Sequence, residues 1–421
     1  MLGIGHPFQL GNLSNNLEKN KKGVKALFCL RILFNQMQMI TIVRFLLFMF
    51  LFFAKIYVSH SQNTLLGLNP ILREQNDIEV ENCFNLLEKY FANRGTIKRY
   101  NYWNPMDFKK MNSPDRYMHD FCNSEYYEDQ SYYKPTILYL NKEHDNSYKV
   151  VISFSRCFLS EFSSVAAIIV ANIIQVNGEL RITNSLFQNL KMNHWKQVKQ
   201  AEITIHHAPE IVFESNQAKK LEEFSIKMSK VFMIQKPLHF TYVACTSFEE
   251  VQNIRGIKFD LTAESGGNAQ TDLENSIIYV ANGRFDYFHE VVHIYYYQNY
   301  KKTKCYNEFW NEGLATYWGG SMDQTFAKLL DQIKIAPEFK NYDFGDLESL
   351  GPITSLPNVN ISYTIGGLLC SRIFNKLGQV NGLKQILLIN NIDETYKVIE
   401  NVLGIRRDRI NQYLRDEINK S

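Results

Sequence analysis

Hydrophobic and polar positions divide the chain into stretches of different character. Residues 45–54 (FLLFMFLFFA) form an unbroken apolar run of ten, with Arg44 before it and Lys55 after it. A membrane-spanning helix needs ~20 such residues. The run therefore reads as the apolar core of a secretory signal peptide, and Ser59-His60-Ser61 offers small residues for cleavage near Ser61-Gln62. An uncleaved anchor is the other reading of the same run. Signal peptides stand at a terminus, so a start at Met37 or Met39 is expected, with 1–38 an extension and 39–61 the signal peptide.

Residues 79–91 place Val80, Cys83, Phe84, Leu87, Tyr90 and Phe91 at helical spacing. After a Tyr- and Asn-rich irregular stretch, 136–140 and 148–154 read as strands on either side of the turn-like Glu143-His144-Asp145-Asn146. Residues 158–175 are apolar almost all round, which predicts a buried helix, and 180–183 predicts another strand. Together these make a small N-terminal α+β domain over 62–198. Beyond it, strands are expected at 201–207, 237–244 and 276–280. A helix at 217–233 carries Leu221, Phe224, Met228, Val231 and Phe232 on one face. From 285 onward the pattern is mainly helical, ending with Ile410, Tyr413, Leu414 and Ile418 on the last helix. A strand-rich half followed by a helical half predicts a two-lobed unit over 199–421 with a cleft between the lobes. The expected class is α+β.

The residues that carry chemistry lie where strands give way to helices. His289-Glu290-Val291-Val292-His293 is an HExxH sequence. Residues four apart share a helix face, so both imidazoles can reach one metal ion, and Glu290 can address a water bound to it. Nineteen residues after His293 comes Glu312, within Trp310-Asn311-Glu312-Gly313-Leu314-Ala315. It is placed to supply a third ligand from the next helix. Two histidines and a carboxylate, with a fourth position left to water, make a catalytic zinc site holding one ion. His206-His207 has no such geometry, because neighbours on a strand face opposite ways.

Composition narrows the classes further. At 421 residues and 45% hydrophobic, the chain has material for a sizeable core, which excludes disordered and collagenous readings. Seven cysteines without CxxC pairing exclude a zinc finger. The net charge of +3 hints at a nucleic-acid partner, but residues 1–61 hold seven Lys/Arg and one acid. Without them 39 basic and 42 acidic residues remain, and no electrostatic case for nucleic acid survives.

HEVVH followed by WNEGLATY resembles the gluzincin metallopeptidases, closest to their aminopeptidase-like and peptidase MA-like branch. The likeness covers about residues 199–421. It implies zinc held by His289, His293 and Glu312, Glu290 as general base, and a peptide or protein substrate. Members also carry a Tyr-x-x-Gly sequence opening a later helix. Here Tyr363-Thr364-Ile365-Gly366 stands 51 residues after Glu312, which suggests Tyr363 as oxyanion stabiliser. The chain departs from the aminopeptidase branch ahead of HExxH, where that branch has Gly-x-Met-Glu-Asn. Glu274-Asn275 stands only 15 residues before His289, with Leu273 in place of Met, and Gly266-Gly267-Asn268 has no acid. Endo- versus exopeptidase action stays open, and an edge strand near 266–275 that pairs with substrate backbone is expected. The implied protein is an exported zinc peptidase; the alternative is a catalytically inactive relative serving as a binding or surface-interaction protein.

Overall fold

Asp77 opens the first long helix, its side chain accepting a hydrogen bond from the Glu79 N–H and so satisfying a donor that a helix start leaves unpaired. The computed structural model describes residues 66–74, 77–118, 133–143, 147–156, 164–261 and 268–421. The expected leader, Cys122, Cys157 and Gly266-Gly267 lie outside them. The order begins with strand β1 (Gly67–Leu68), the short helix α1 (Pro70–Glu74) and this capped helix, α2 (Ile78–Ala92). Helix α2 buries Val80, Cys83, Leu87, Tyr90 and Phe91 on one face, as its spacing predicts.

That face lies in one core with strands β2 (Tyr133–Lys142), β3 (Tyr148–Arg156), β4 (Ser164–Val176) and β5 (Glu179–Thr183), through Val150, Ile152, Phe154, Ile169 and Ile173. Full burial of each such side chain contributes about 2 kcal/mol. Strand β4 corrects the helix expected over 158–175. It pairs with β3 along one edge and with β5 along part of the other. An interior strand with both faces covered is apolar all round, and its periodicity cannot distinguish it from a buried helix. Its Val and Ile content was the better guide.

Helix α3 (Ser185–Met192) leads into β6 (Lys196–Gln200), β7 (Ile203–His207), helix α4 (Ser215–Val231), β8 (Phe240–Ala244), helix α5 (Phe248–Arg255), β9 (Ile257–Asp260), β10 (Ala269–Asp272) and β11 (Ile277–Val280). The second sheet has the order β10-β11-β8-β7-β6, parallel at its centre and antiparallel at both ends. Strand β9 leaves this sheet and pairs with β4 in the first. The boundary expected at 198/199 falls inside β6, and strands from both sides of it share a sheet. Leu66–Ser421 forms one compact unit.

Both faces of the second sheet are covered. Ile205, Tyr242, Ile278 and Val280 face the core shared with α4 and the later helices. Val243, Ile277 and Tyr279 face the other way, onto Leu186 of α3, Val251 and Ile254 of α5, and Met111 from the N-terminal half. The chain then turns helical: α6 (His289–Thr303), α7 (Glu308–Gly319), α8 (Phe326–Ile335), α9 (Ile361–Leu377), α10 (Gln379–Ile386), α11 (Ile392–Leu403) and α12 (Ile410–Lys420). The fold is mixed α+β. Among the described residues no helix is long and apolar enough to cross a membrane, and Cys83, Cys245, Cys305 and Cys370 are free thiols.

One contact sets how closely the helices around the site approach. A Cβ on Gly313 of α7 would lie 2.6 Å from the Gly366 carbonyl carbon of α9, and one on Gly366 would lie 2.9 Å from the Gly313 Cα. Backbone touches backbone there, so neither position accepts a side chain. Gly313→Ala should destabilise the protein by about 1–3 kcal/mol, because overpacking outweighs the ~1 kcal/mol that Ala gains in helix propensity. Chemical denaturation checks this, and an unchanged midpoint would show that the helices separate freely.

Candidate metal centre

The site is assembled at the start of α6. Strand β11 delivers the chain to a short loop, and α6 begins at His289 with no side-chain cap from Phe288. Helix α7 ends against that start: a Cβ on Gly319 would stand 2.5 Å from the His289 nitrogen. Gly320 follows at φ +78°, where glycine is favoured, and its carbonyl turns back onto the His289 ring.

The geometry of the two imidazoles follows from their outer nitrogens. His289 Nδ1 donates to the Gly320 carbonyl at 2.6 Å, and His293 Nδ1 donates to Asn311 Oδ1 at 2.9 Å. The Asn311 amide is itself oriented, since its Nδ2 donates to the Tyr306 hydroxyl at 3.4 Å. With each Nδ1–H so engaged, each Nε2 turns inward. His289 Nε2 is 3.2 Å from Glu312 Oε2, and His293 Nε2 is 3.5 Å from Glu312 Oε1. The two rings meet edge to face, with centroids 4.8 Å apart. Glu290 joins them: ligand atoms of His289, Glu290 and His293 lie within 4.8 Å of one another, all three residues being buried.

Two nitrogen lone pairs facing a carboxylate repel it unless a cation lies between them. Such a group could hold a metal ion, and hydrogen bonds from the outer nitrogens are the kind that fix a metal-binding tautomer. Without a metal, protons take its place. Burial opposes charge on His289, but Glu312, Glu290 and the Gly320 carbonyl outweigh it and push the pKa up to about 8. Burial likewise works against the Glu312 carboxylate, yet the two imidazoles hold it below the usual carboxylate range. Nearby, burial first and then the Glu290, Asp323 and Glu312 carboxylates push the Tyr287 phenol upward.

All five residues singled out in the sequence meet at this point. Glu290, 9% exposed, accepts a hydrogen bond from the Thr271 hydroxyl of β10. Tyr363 lies in the first turn of α9, its N–H held by the Asn360 side chain at 3.1 Å, and its ring stacks on His289 with centroids 6.3 Å apart. No family model matches the chain, and no curated protein matches it. The strand expected near 266–275 is β10, at the edge of its sheet. Glu274 is not in the cluster; it accepts from the Tyr297 hydroxyl at the turn after β10. His207 is buried with its Nδ1 on the Ala208 carbonyl and belongs to no metal cluster among the described residues. The sequence reading missed Thr271 and Gly320, which act at long range and carry no local signal. Asn311 was visible only as a motif letter.

Because His289 titrates near 8 in the metal-free protein, a metal must displace its proton. Zinc affinity measured by chelator competition should therefore rise with pH and level off above about 8. Stability of the metal-free protein should run the other way. The charged His289 contributes in full below 6.5, and its contribution is lost as pH rises through about 8. His289→Gln should remove that loss; a metal-free stability curve identical to the parent's would refute the assignment.

Proposed function

We propose that the chain is an exported zinc metallopeptidase of the gluzincin type, with the second sheet as its upper lobe, helices α6 to α12 as its lower lobe and the zinc cleft between. The observation that carries this reading is the pair of imidazole Nε2 atoms converging on Glu312, with Glu290 beside them. His289, His293 and Glu312 are the residues that would hold the ion. A zinc ion so bound lowers the pKa of its water from 15.7 toward ~7 and polarises a scissile carbonyl.

The remaining steps belong to side chains of this chain. Glu290 is buried, oriented by Thr271 and adjacent to the metal ligands, so it takes the proton of the attacking water and delivers it to the leaving amine. Tyr363, whose ring stacks on that of His289, is the phenol that would donate to a developing oxyanion. Strand β10, paired on one side with β11 and with no strand on its outer side among the described residues, offers backbone groups to an extended peptide. Export follows from the leader pattern, and the substrate is a peptide or protein.

Glu290→Gln should keep its zinc and lose turnover on the order of 10²–10⁴-fold, the usual contribution of a general base. His293→Ala should lose both zinc and activity. Tyr363→Phe should lower kcat by about 10²–10³-fold. A peptide-library digest with and without chelator, alongside metal analysis, reads all three. A protein that binds zinc yet cleaves nothing would be an inactive binding relative, and normal cleavage by Glu290→Gln would rule out the mechanism.

A further inference from the structure

Strand β10 has only four residues, Ala269 to Asp272, and its two faces are tied to different parts of the chain. Thr271 pairs with Ile278, whose side chain lies in the core that contains α6. Asp272 pairs with Ile277, whose side chain lies in the opposite core with Met111 of the N-terminal half. Cross-strand partners share a face and successive residues alternate. Thr271 therefore reaches Glu290 on one side of the sheet, while Asp272 points to the N-terminal half on the other.

On that far side the contacts are dense. Arg116 Nη1 donates to Asp272 Oδ1 at 2.6 Å, and the Asp272 carboxylate is buried with 1% of its side chain exposed. Asp272 also accepts from Asn275, at 2.8 Å from the side-chain amide and 3.2 Å from the backbone N–H. Asn275 in turn exchanges hydrogen bonds with the Ser113 backbone, accepting at 2.8 Å and donating at 3.0 Å. Asn112 Nδ2 donates to the Glu274 carbonyl at 2.8 Å. A segment some 160 residues upstream thus grips the turn that follows β10.

We propose that Arg116 is a positioning residue for Glu290: by holding Asp272 it fixes the register of β10, and so keeps Thr271 against the Glu290 carboxylate. This rests on the reading of Glu290 as general base. A one-residue slip of β10 would exchange the two faces, moving Thr271 off Glu290 and a carboxylate toward it. The N-terminal half is then part of the catalytic machinery, and residues 199–421 alone would lack a fixed base.

The test compares the full chain with Arg116→Met, Thr271→Val, Thr271→Ser and the double variant Arg116→Met/Thr271→Val. Zinc content, kcat and KM are measured, together with hydrogen exchange of the amides of residues 269–280. Thr271→Val should lower kcat on the order of tenfold to a hundredfold, the scale of a small misplacement of a catalytic group. KM and zinc content should be unchanged, and Thr271→Ser should restore most of kcat. Arg116→Met should lower kcat comparably and speed exchange at 269–280 while leaving α6 and α7 protected. The double variant should be no slower than the worse single one, since both changes break the same link. Effects that multiply, or wild-type exchange at 269–280 in Arg116→Met, would overturn the proposal. If the parent binds zinc but shows no turnover, the peptidase reading and the role of Arg116 in catalysis both fail. The exchange data then still report whether Arg116 holds β10.

Discussion

A neutral imidazole has one N–H, and both His289 and His293 commit theirs to an oxygen outside the cleft. What remains inside is the two Nε2 atoms, which meet the Glu312 carboxylate favourably only when a proton or another cation lies between them. The burial of the site sharpens this constraint, because few waters are available to screen the repulsion. Had either ring been free to turn, its Nδ1–H could have satisfied Glu312 directly, and the two Nε2 atoms would no longer converge on it. The Gly320 carbonyl and the Asn311 amide oxygen oppose that turn, and the Asn311 amide nitrogen in turn donates to the Tyr306 hydroxyl.

Holding those acceptors in place is a matter of helix approach. Asn311, Glu312 and Gly313 are consecutive residues of α7, so the helix that supplies the central carboxylate also supplies an orienting amide and a glycine contact. The Gly313–Gly366 contact lets α9 come close enough for Tyr363 to stack on His289. At the other end of α7, Gly319 lets the helix end against the start of α6. One helix therefore fixes both histidines, and the glycines are the reason it can stand so near them.

The parts of this arrangement that were legible in the sequence are the local ones. HExxH and Asn-Glu-Gly each lie within a turn or two of one helix, so spacing alone shows which side chains share a face. The α2 stripe and the β7, β8 and β11 strands were legible for the same reason, as was the α+β class. What failed was non-local. Strand β4 is apolar on both faces because neighbours cover one face fully and the other in part, and those neighbours include β9, about ninety residues away. Strand β10, with the sequence Ala-Gln-Thr-Asp, has neither an apolar run nor a period, and only the resemblance pointed to a strand near 266–275. Thr271 could not be singled out until the sheet placed it beside Glu290. Strand β6, also polar, went unread although the expected domain boundary runs through it.

Strand β10 is one of the places where two halves that read as separate domains are joined, beside the β4–β9 pairing and the core around Met111. On the proposed function, the outer edge of β10 must stay open for substrate backbone, so no further strand can brace it there. Its inner edge has only the four residue pairs it makes with β11. An edge strand so short is weakly held by its ladder, yet it carries the hydroxyl that donates to Glu290. Bracing must then come from side chains on the face away from the cleft, where substrate never passes. Met111 and Arg116 lie on that face, while Asn112 and Ser113 hold the turn that follows the strand. A buried Asp272 would cost stability if left alone, because an unpaired charge in a core is expensive. Paired with Arg116 it ties the register of the strand to the N-terminal half, a tie that an apolar pair in its place could not match in direction.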